Sequence, residues 1–187
     1  IAIVGARKPA AHTRQFASQL AGDLASAGVN IVSGMALGID TAVHSGAIAA
    51  PSGSTVAVWA TGLDNCYPKS NYSLSEKILE SGCILTEMPI GTPPKAGLFP
   101  RRNRIVSGLS IATIVVEAAL KSGSMITAST ALEQNRDVFA VPGAVGAERN
   151  RGCHQLIKQG AALIESAQDV LDLLAYQPSL QTGSHGT

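Results

Sequence analysis

Short apolar runs alternate with longer amphipathic ones along this chain. Ile1 to Val4, Val29 to Val32, Thr55 to Trp59, Cys83 to Thr86, Ile111 to Val116, Val138 to Val141 and Ala162 to Ile164 are too short for stable helices and largely rich in β-branched residues, so they predict strands. Helices are predicted between them. Thr13 can cap one running to about Ala27, with Phe16, Leu20 and Leu24 at helical spacing. Others run from about Asp40 to Ala50, from the Asp64–Asn71 loop through Leu79, from Pro100, from about Ile126 to Gln134, from Cys153 to Lys158 and from about Ala167 to Leu174. Strands as continuously apolar as 111–116 are those of a parallel sheet covered on both faces. Regular strand–helix alternation with ordinary loops predicts an α/β fold, a doubly wound, mostly parallel sheet between helical layers. The domain is expected over residues 1–176, with polar residues 177–187 as a disordered tail.

One stretch departs from this even pattern. Phe99 to Thr127 reads as a basic helix, a buried strand, and a Lys121-Ser122-Gly123-Ser124 turn opening a second helix. Pro100 suits the first helical position, which puts Arg101 and Arg102 in the first turn and Arg104 just beyond. Cations are disfavoured there by the helix macrodipole, unless an anion joins them. Between Met88 and Val116 the only charged residues are Lys95, Arg101, Arg102 and Arg104. Phe99, Ile105, Val106 and Leu109 set the apolar side of this helix, and Arg102 falls within that arc, so it is expected to turn inward onto a carboxylate. Arg101 and Arg104 point outward and are better placed to touch a ligand, because no acids interleave.

Strand-to-turn junctions recur at Gly5-Ala6-Arg7, at Ser33-Gly34 and at Ser122-Gly123-Ser124, all at the carboxyl edge of the sheet, where such folds bind ligands. A row of phosphate sites in one groove suits a chain of phosphates, and about four contacts predict a log–log salt slope near −3 for a single strand. Phe99 at the mouth could stack a base or serve equally as a core residue.

Composition narrows the picture. Net charge is +1 among 187 residues, so nucleic-acid binding requires a local patch rather than overall basicity. The three cysteines have no metal spacing and read as reduced thiols of a cytoplasmic protein. No apolar run reaches membrane-span length. The opening on a strand without methionine reads as a segment of a longer protein. Dinucleotide, NTPase-loop, nucleophile-elbow and clustered metal signatures are absent, so no cofactor or metal is expected. Glu87, Glu117 and Glu133 could do acid–base chemistry or pair with nearby arginines, and Asp40 with His44 reads as structural.

Ser33-Gly34-x-Ala36-x-Gly38-Ile39-Asp40 with His44, Tyr67-Pro68, Phe99-Pro100-x-Arg102-Asn103-Arg104-Ile105, Val116-Glu117-Ala118, Ser122-Gly123-Ser124-x-x-Thr127-Ala128 and Val141-Pro142-Gly143 together resemble the DNA-processing protein A (DprA/Smf) family, over nearly the whole chain. The resemblance implies an extended Rossmann-like, DprA-type three-layer domain that binds single-stranded DNA. It also implies dimerisation through this domain, and a role in natural transformation: protecting incoming strands and helping load the RecA recombinase. The family's Gly-Ser-Arg turn falls on Gly5-Ala6-Arg7, where alanine removes one hydroxyl. Family members often carry small flanking helical domains, which are missing here. The expected contacts are Arg7, Ser33, Gly34, Lys69, Phe99, Arg101, Arg102, Asn103, Arg104, Lys121, Ser122, Gly123 and Ser124. A rival reading is a nucleoside-monophosphate phosphoribohydrolase-like enzyme, for which Ser122–Thr127 with Glu133 is a distorted echo. A second is an interaction scaffold with an incidental anion site.

Overall fold

The computed structural model describes residues 1–175. The tail expected over 177–187, and the domain limit at 176, lie outside the described residues. The elements are β1 Ala2–Gly5, α1 Ala11–Ser26, β2 Ile31–Ser33, α2 Ile39–Ala49, β3 Thr55–Val58, α3 Tyr72–Ser81, β4 Cys83–Leu85, α4 Leu98–Gly108, β5 Ala112–Val116, α5 Gly123–Glu133, β6 Asp137–Ala140, α6 Arg151–Lys158, β7 Ala162–Leu163 and α7 Ala167–Leu173. Single 3₁₀ turns at Lys69–Asn71 and Glu148–Asn150 lead into α3 and α6.

The strands form one seven-stranded sheet in the order β4-β3-β2-β1-β5-β6-β7. Every pairing is parallel. The period-two alternation of the strands decides which residues meet which layer. Ile1, Ile3, Ile31, Ile114 and Val116 pack with Leu20 and Leu24 of α1, Val43 of α2 and Val170 of α7. Ala2, Val4, Val32, Val58 and Val115 point the other way, onto Val106 of α4, Ala128 of α5 and Leu156 of α6. Ala57, Trp59 and Ile78 of α3 extend the first layer beside Met35. Burying a side chain the size of Ile3 or Leu20 is worth about 1.5–3 kcal/mol, so these two layers hold the sheet.

Four helix starts differ from the expectation. α1 begins at Ala11 with Ala10 at its cap, so Thr13 lies inside the helix rather than capping it, and α6 begins at Arg151 rather than Cys153. The other two differences matter for the site. α4 begins at Leu98, so Pro100 is its third residue rather than its first. Proline is tolerated there because amides of the first turn have no intrahelical acceptor. Arg102 therefore lies in the second turn. α5 begins at Gly123 rather than near Ile126, with Ser122 at its cap position, so the small-residue turn is itself the start of the helix.

The chain builds outward from β1 to β4 on one side and from β5 to β7 on the other. β1 and β5 are neighbours at this topological switch, where a crevice opens beyond their carboxyl ends. Gly5 pairs with Val116 at its floor. A Cβ on Gly5 would lie 2.0 Å from the Val116 carbonyl oxygen, so only glycine fits this close approach.

Candidate nucleic-acid interface

The switch-point crevice is a cleft of about 360 Å³. Its walls bring together Arg7 from the β1–α1 turn, Phe99, Arg102 and Asn103 from α4, and Ser122, Gly123 and Ser124 from the start of α5. Ala36, Asp40, Ala96 and Thr127 complete much of the lining. The first amides of α5 have no preceding turn to bond to, and a side chain at Gly123 would meet nothing within 4 Å. An open helix N-terminus thus faces the cleft, with the guanidinium of Arg7 in the same walls. The Ser122 hydroxyl is buried and has no hydrogen-bond partner among the described residues. Asn103 fixes the spacing of the two helices. Its amide donates to the Gly123 carbonyl at 3.4 Å, and its oxygen accepts from Arg102 Nε at 3.2 Å.

Arg102 turns inward as its helical position predicts, and is 5% exposed. The expected carboxylate grip is replaced by main chain: its Nη1 donates to the carbonyls of Gly34 and Val58. Burial pulls its pKa down from the usual value, opposed by the nearby Asp40 charge and reinforced by Arg7. Asp40 in turn accepts from the amides of Gly34 and Ala36, each at 3.2 Å. Burial raises its pKa, while Arg102 and those amides hold it down. The Gly-rich turn after β2 is therefore an anion nest already filled by the protein's own carboxylate. Two expected phosphate contacts fall with it. The Gly34 amide and carbonyl are both engaged internally, and neither Ser33 nor Gly34 lines the cleft. Ser33 is fully buried, its hydroxyl donating to the Ile3 carbonyl at 2.7 Å. Nearby His44 is also structural: its Nδ1 lies 2.8 Å from the Thr55 hydroxyl, and burial together with the Arg102 charge lowers its pKa to about 3.

The mouth of the cleft carries a feature only half visible in sequence. The Arg7 guanidinium sits 5.8 Å from the Phe99 ring centroid, and Tyr67 packs on Phe99 with centroids 5.5 Å apart at 50°. Arg7, Phe99 and the exposed Tyr67 form a continuous cationic and aromatic rim. In sequence Tyr67 stands out only as part of a Tyr-Pro motif, not as a contact. Lys69 follows it in the 3₁₀ turn and is exposed, but does not line the cleft. Lys121 is likewise exposed and lies just outside the lining, one residue before Ser122.

Arg101 and Arg104 require a larger correction. Both were expected to face a ligand with no acids interleaved, yet both reach Glu87 beyond the end of β4, which bears out the pairing with nearby arginines that was one of the two readings of that carboxylate. Arg101 Nε lies 3.3 Å from one carboxylate oxygen, and Arg104 Nη2 bonds the other. Neither lines the cleft. The other carboxylates behave as local partners too. Glu117 accepts from the Ala10 amide and lies 3.9 Å from Arg149. Glu133 is exposed, accepts from Ser129 at 3.4 Å, and is absent from the cleft walls. The hydrolase layout thus lacks its glutamate, since the one carboxylate in the lining, Asp40, is engaged by the amides of Gly34 and Ala36.

The family model for DNA recombination-mediator protein A matches residues 1–175. The chain belongs to that family. The protein Smf of Synechocystis is 44% identical over 98% of this chain, which covers 46% of that protein. The crystal structure of DprA from Streptococcus pneumoniae superposes with a TM-score of 0.84 at 42% identity, covering 91% of this chain and 60% of that one. DNA processing protein A from Helicobacter pylori, described for its single-stranded DNA binding mode, gives a TM-score of 0.84 at 34% identity, covering 93% of this chain and 79% of that one. The chain spans about half the length of the curated relatives it matches. Family membership agrees with the all-parallel three-layer fold. Among the described residues no helix is long and apolar enough to cross a membrane, and no group of side chains is arranged to hold a metal.

Proposed function

We propose that this chain binds single-stranded DNA in the switch-point cleft, with the sugar-phosphate chain on the α5 N-terminus and Arg7, and bases against Phe99 and Tyr67. The observation that carries this is one geometry: an open helix start and an unpartnered Ser122 hydroxyl lie beneath a cationic–aromatic rim. A helix N-terminus and a guanidinium recognise phosphate of any sequence, and an aromatic face accepts any base. Duplex bases are already stacked on each other, so the rim favours single strands. Asn103, Gly123 and Ser124 act as phosphate-side contacts, and Arg102 acts through the cleft floor and its charge. Lys69 and Lys121 extend the basic path at either end.

Fluorescence anisotropy of a labelled thymidine oligomer, single-stranded and duplex, across a salt series tests this. Preferential single-strand binding with a log–log slope near −3 is expected for about four phosphate contacts. Arg7→Ala should weaken it and flatten the slope. A slope near zero, or unchanged binding by Arg7→Ala, overturns the proposal. The family relationship further supports a place in DNA uptake and natural transformation, in the cytoplasm, with strand protection, hand-over to the RecA recombinase and homodimer formation.

A further inference from the structure

A second and larger cavity, about 480 Å³, lies on the α1 side of the same sheet edge and shares no lining residue with the basic cleft. Phe16 of α1 and Val141 and Pro142 after β6 give it apolar walls, Glu117 and the exposed Glu165 contribute carboxylates, and His12 lies in the same lining. The Glu117 carboxylate is unusual in three ways. Its side chain is 3% exposed. It stands on a backbone with φ of 55°, a conformation costly for a non-glycine residue and commonest at functional positions. Both oxygens share the single amide of Ala10 at 3.2 Å each, and the one ion-pair partner among the described residues, Arg149, is 55% exposed and 3.9 Å away. A carboxylate offers about four lone pairs, so this buried group remains short of donors.

We infer that this cavity is a site for a guanine base. Its size is that of ordinary small-molecule pockets, which are mostly apolar with a few convergent polar groups. A planar ring can lie along Phe16 and Pro142, as flipped bases do between apolar side chains. On its Watson–Crick edge guanine places a ring N–H beside an exocyclic amine, two parallel donors that match two carboxylate oxygens. Adenine and cytosine pair their amine with a ring acceptor on that edge, and thymine flanks its one N–H with carbonyls; each would set an acceptor against Glu117. Such charged, buried hydrogen bonds discriminate strongly. The guanine can be a free nucleotide or a residue of a bound strand.

Titration with GMP and AMP, followed by calorimetry and ligand-observed NMR, reads the first source. Thymidine oligomers with and without one guanosine read the second. Guanine-dependent binding in either arm supports the site. Equal binding of GMP and AMP, no guanine dependence in either arm, or saturation by free arginine in place of GMP overturns it. Glu117→Gln keeps the size and one acceptor for the Ala10 amide, and should weaken guanine binding about tenfold or more while leaving plain thymidine-oligomer binding unchanged. If that variant unfolds, Ala147→Phe decides, since it fills the cavity from a loop wall and leaves Glu117 itself unchanged. Guanine binding that survives in a folded variant refutes the site. Loss of thymidine-oligomer binding by Arg7→Ala would test the other cleft separately.

Discussion

Gly34 sits in a turn that looks like a phosphate cradle, but in the fold it provides clearance for Arg102. A Cβ at this position would lie 2.5 Å from one guanidinium nitrogen of Arg102 and 2.6 Å from its central carbon. These atoms end a flexible side chain, yet they are pinned by the carbonyls of Gly34 and Val58. Displacing them breaks one or both charged hydrogen bonds, each worth about 1.5–3 kcal/mol. Gly34→Ala should therefore cost about 2–4 kcal/mol, lowering the melting temperature by roughly 5–15 °C for a chain of this size. Arg102→Ala removes the obstruction and should itself cost about 3–6 kcal/mol, because it removes both charged hydrogen bonds, to the carbonyls of Gly34 and Val58. In that background the added methyl meets no guanidinium, so Gly34→Ala should lose most of its cost in a double-mutant cycle. Thermal unfolding by circular dichroism reads all three changes. A melting temperature within about 1 °C of the parent for Gly34→Ala, or equal costs in both backgrounds, refutes the clearance argument. The salt slope of DNA binding should stay unchanged in Gly34→Ala, since the glycine touches no phosphate.

Other outcomes follow from the same geometry. Glu87→Gln releases Arg101 and Arg104, so oligomer affinity should rise and the salt slope steepen by about 0.7 for each arginine that then meets a phosphate. Its stability cost should stay within about 1 kcal/mol, as both arginines are largely solvated, and a denaturant titration checks this. Phe99→Ala and Tyr67→Ala should each weaken binding by about 1–3 kcal/mol per stacked base in anisotropy titrations, leaving the salt slope intact. His44 is held neutral in the fold, with a pKa of about 3 against about 6.5 in the unfolded chain, so acid favours the unfolded state from pH 6.5 downward. This residue alone should remove about 2 kcal/mol of stability between pH 7 and pH 5. Asp40, raised by burial, works in the opposite direction, so the urea comparison of parent with His44→Gln isolates the histidine.

The strands and layers were legible because a parallel strand covered on both sides has to be apolar at nearly every position, as 112–116 is. The start of α4 was not, because proline is equally comfortable at the first and third helical positions. Arg102 could be placed inside from its helical position alone, but its partners are main-chain carbonyls from two other strand ends, which no side-chain pattern announces. The freedom assigned to Arg101 and Arg104 failed for a similar reason: Glu87 lies outside the acid-free window counted along the chain, and only the fold carries it beside α4. The Ser33-Gly34 turn misled because a nest filled by Asp40 and a nest awaiting phosphate have the same sequence. The Tyr67–Phe99 contact and the cavity around Glu117 join segments distant in sequence, so neither left a local signal.

Because the crevice floor is the pairing of Gly5 with Val116, no length of chain short of β5 owns a groove. A polypeptide emerging from the ribosome as far as β4 would be blind to DNA, however many of its arginines were already outside. Recognition would switch on late and all at once. A chain cut between β4 and α4 should yield two mute halves whose reunion could be detected by the return of oligonucleotide binding.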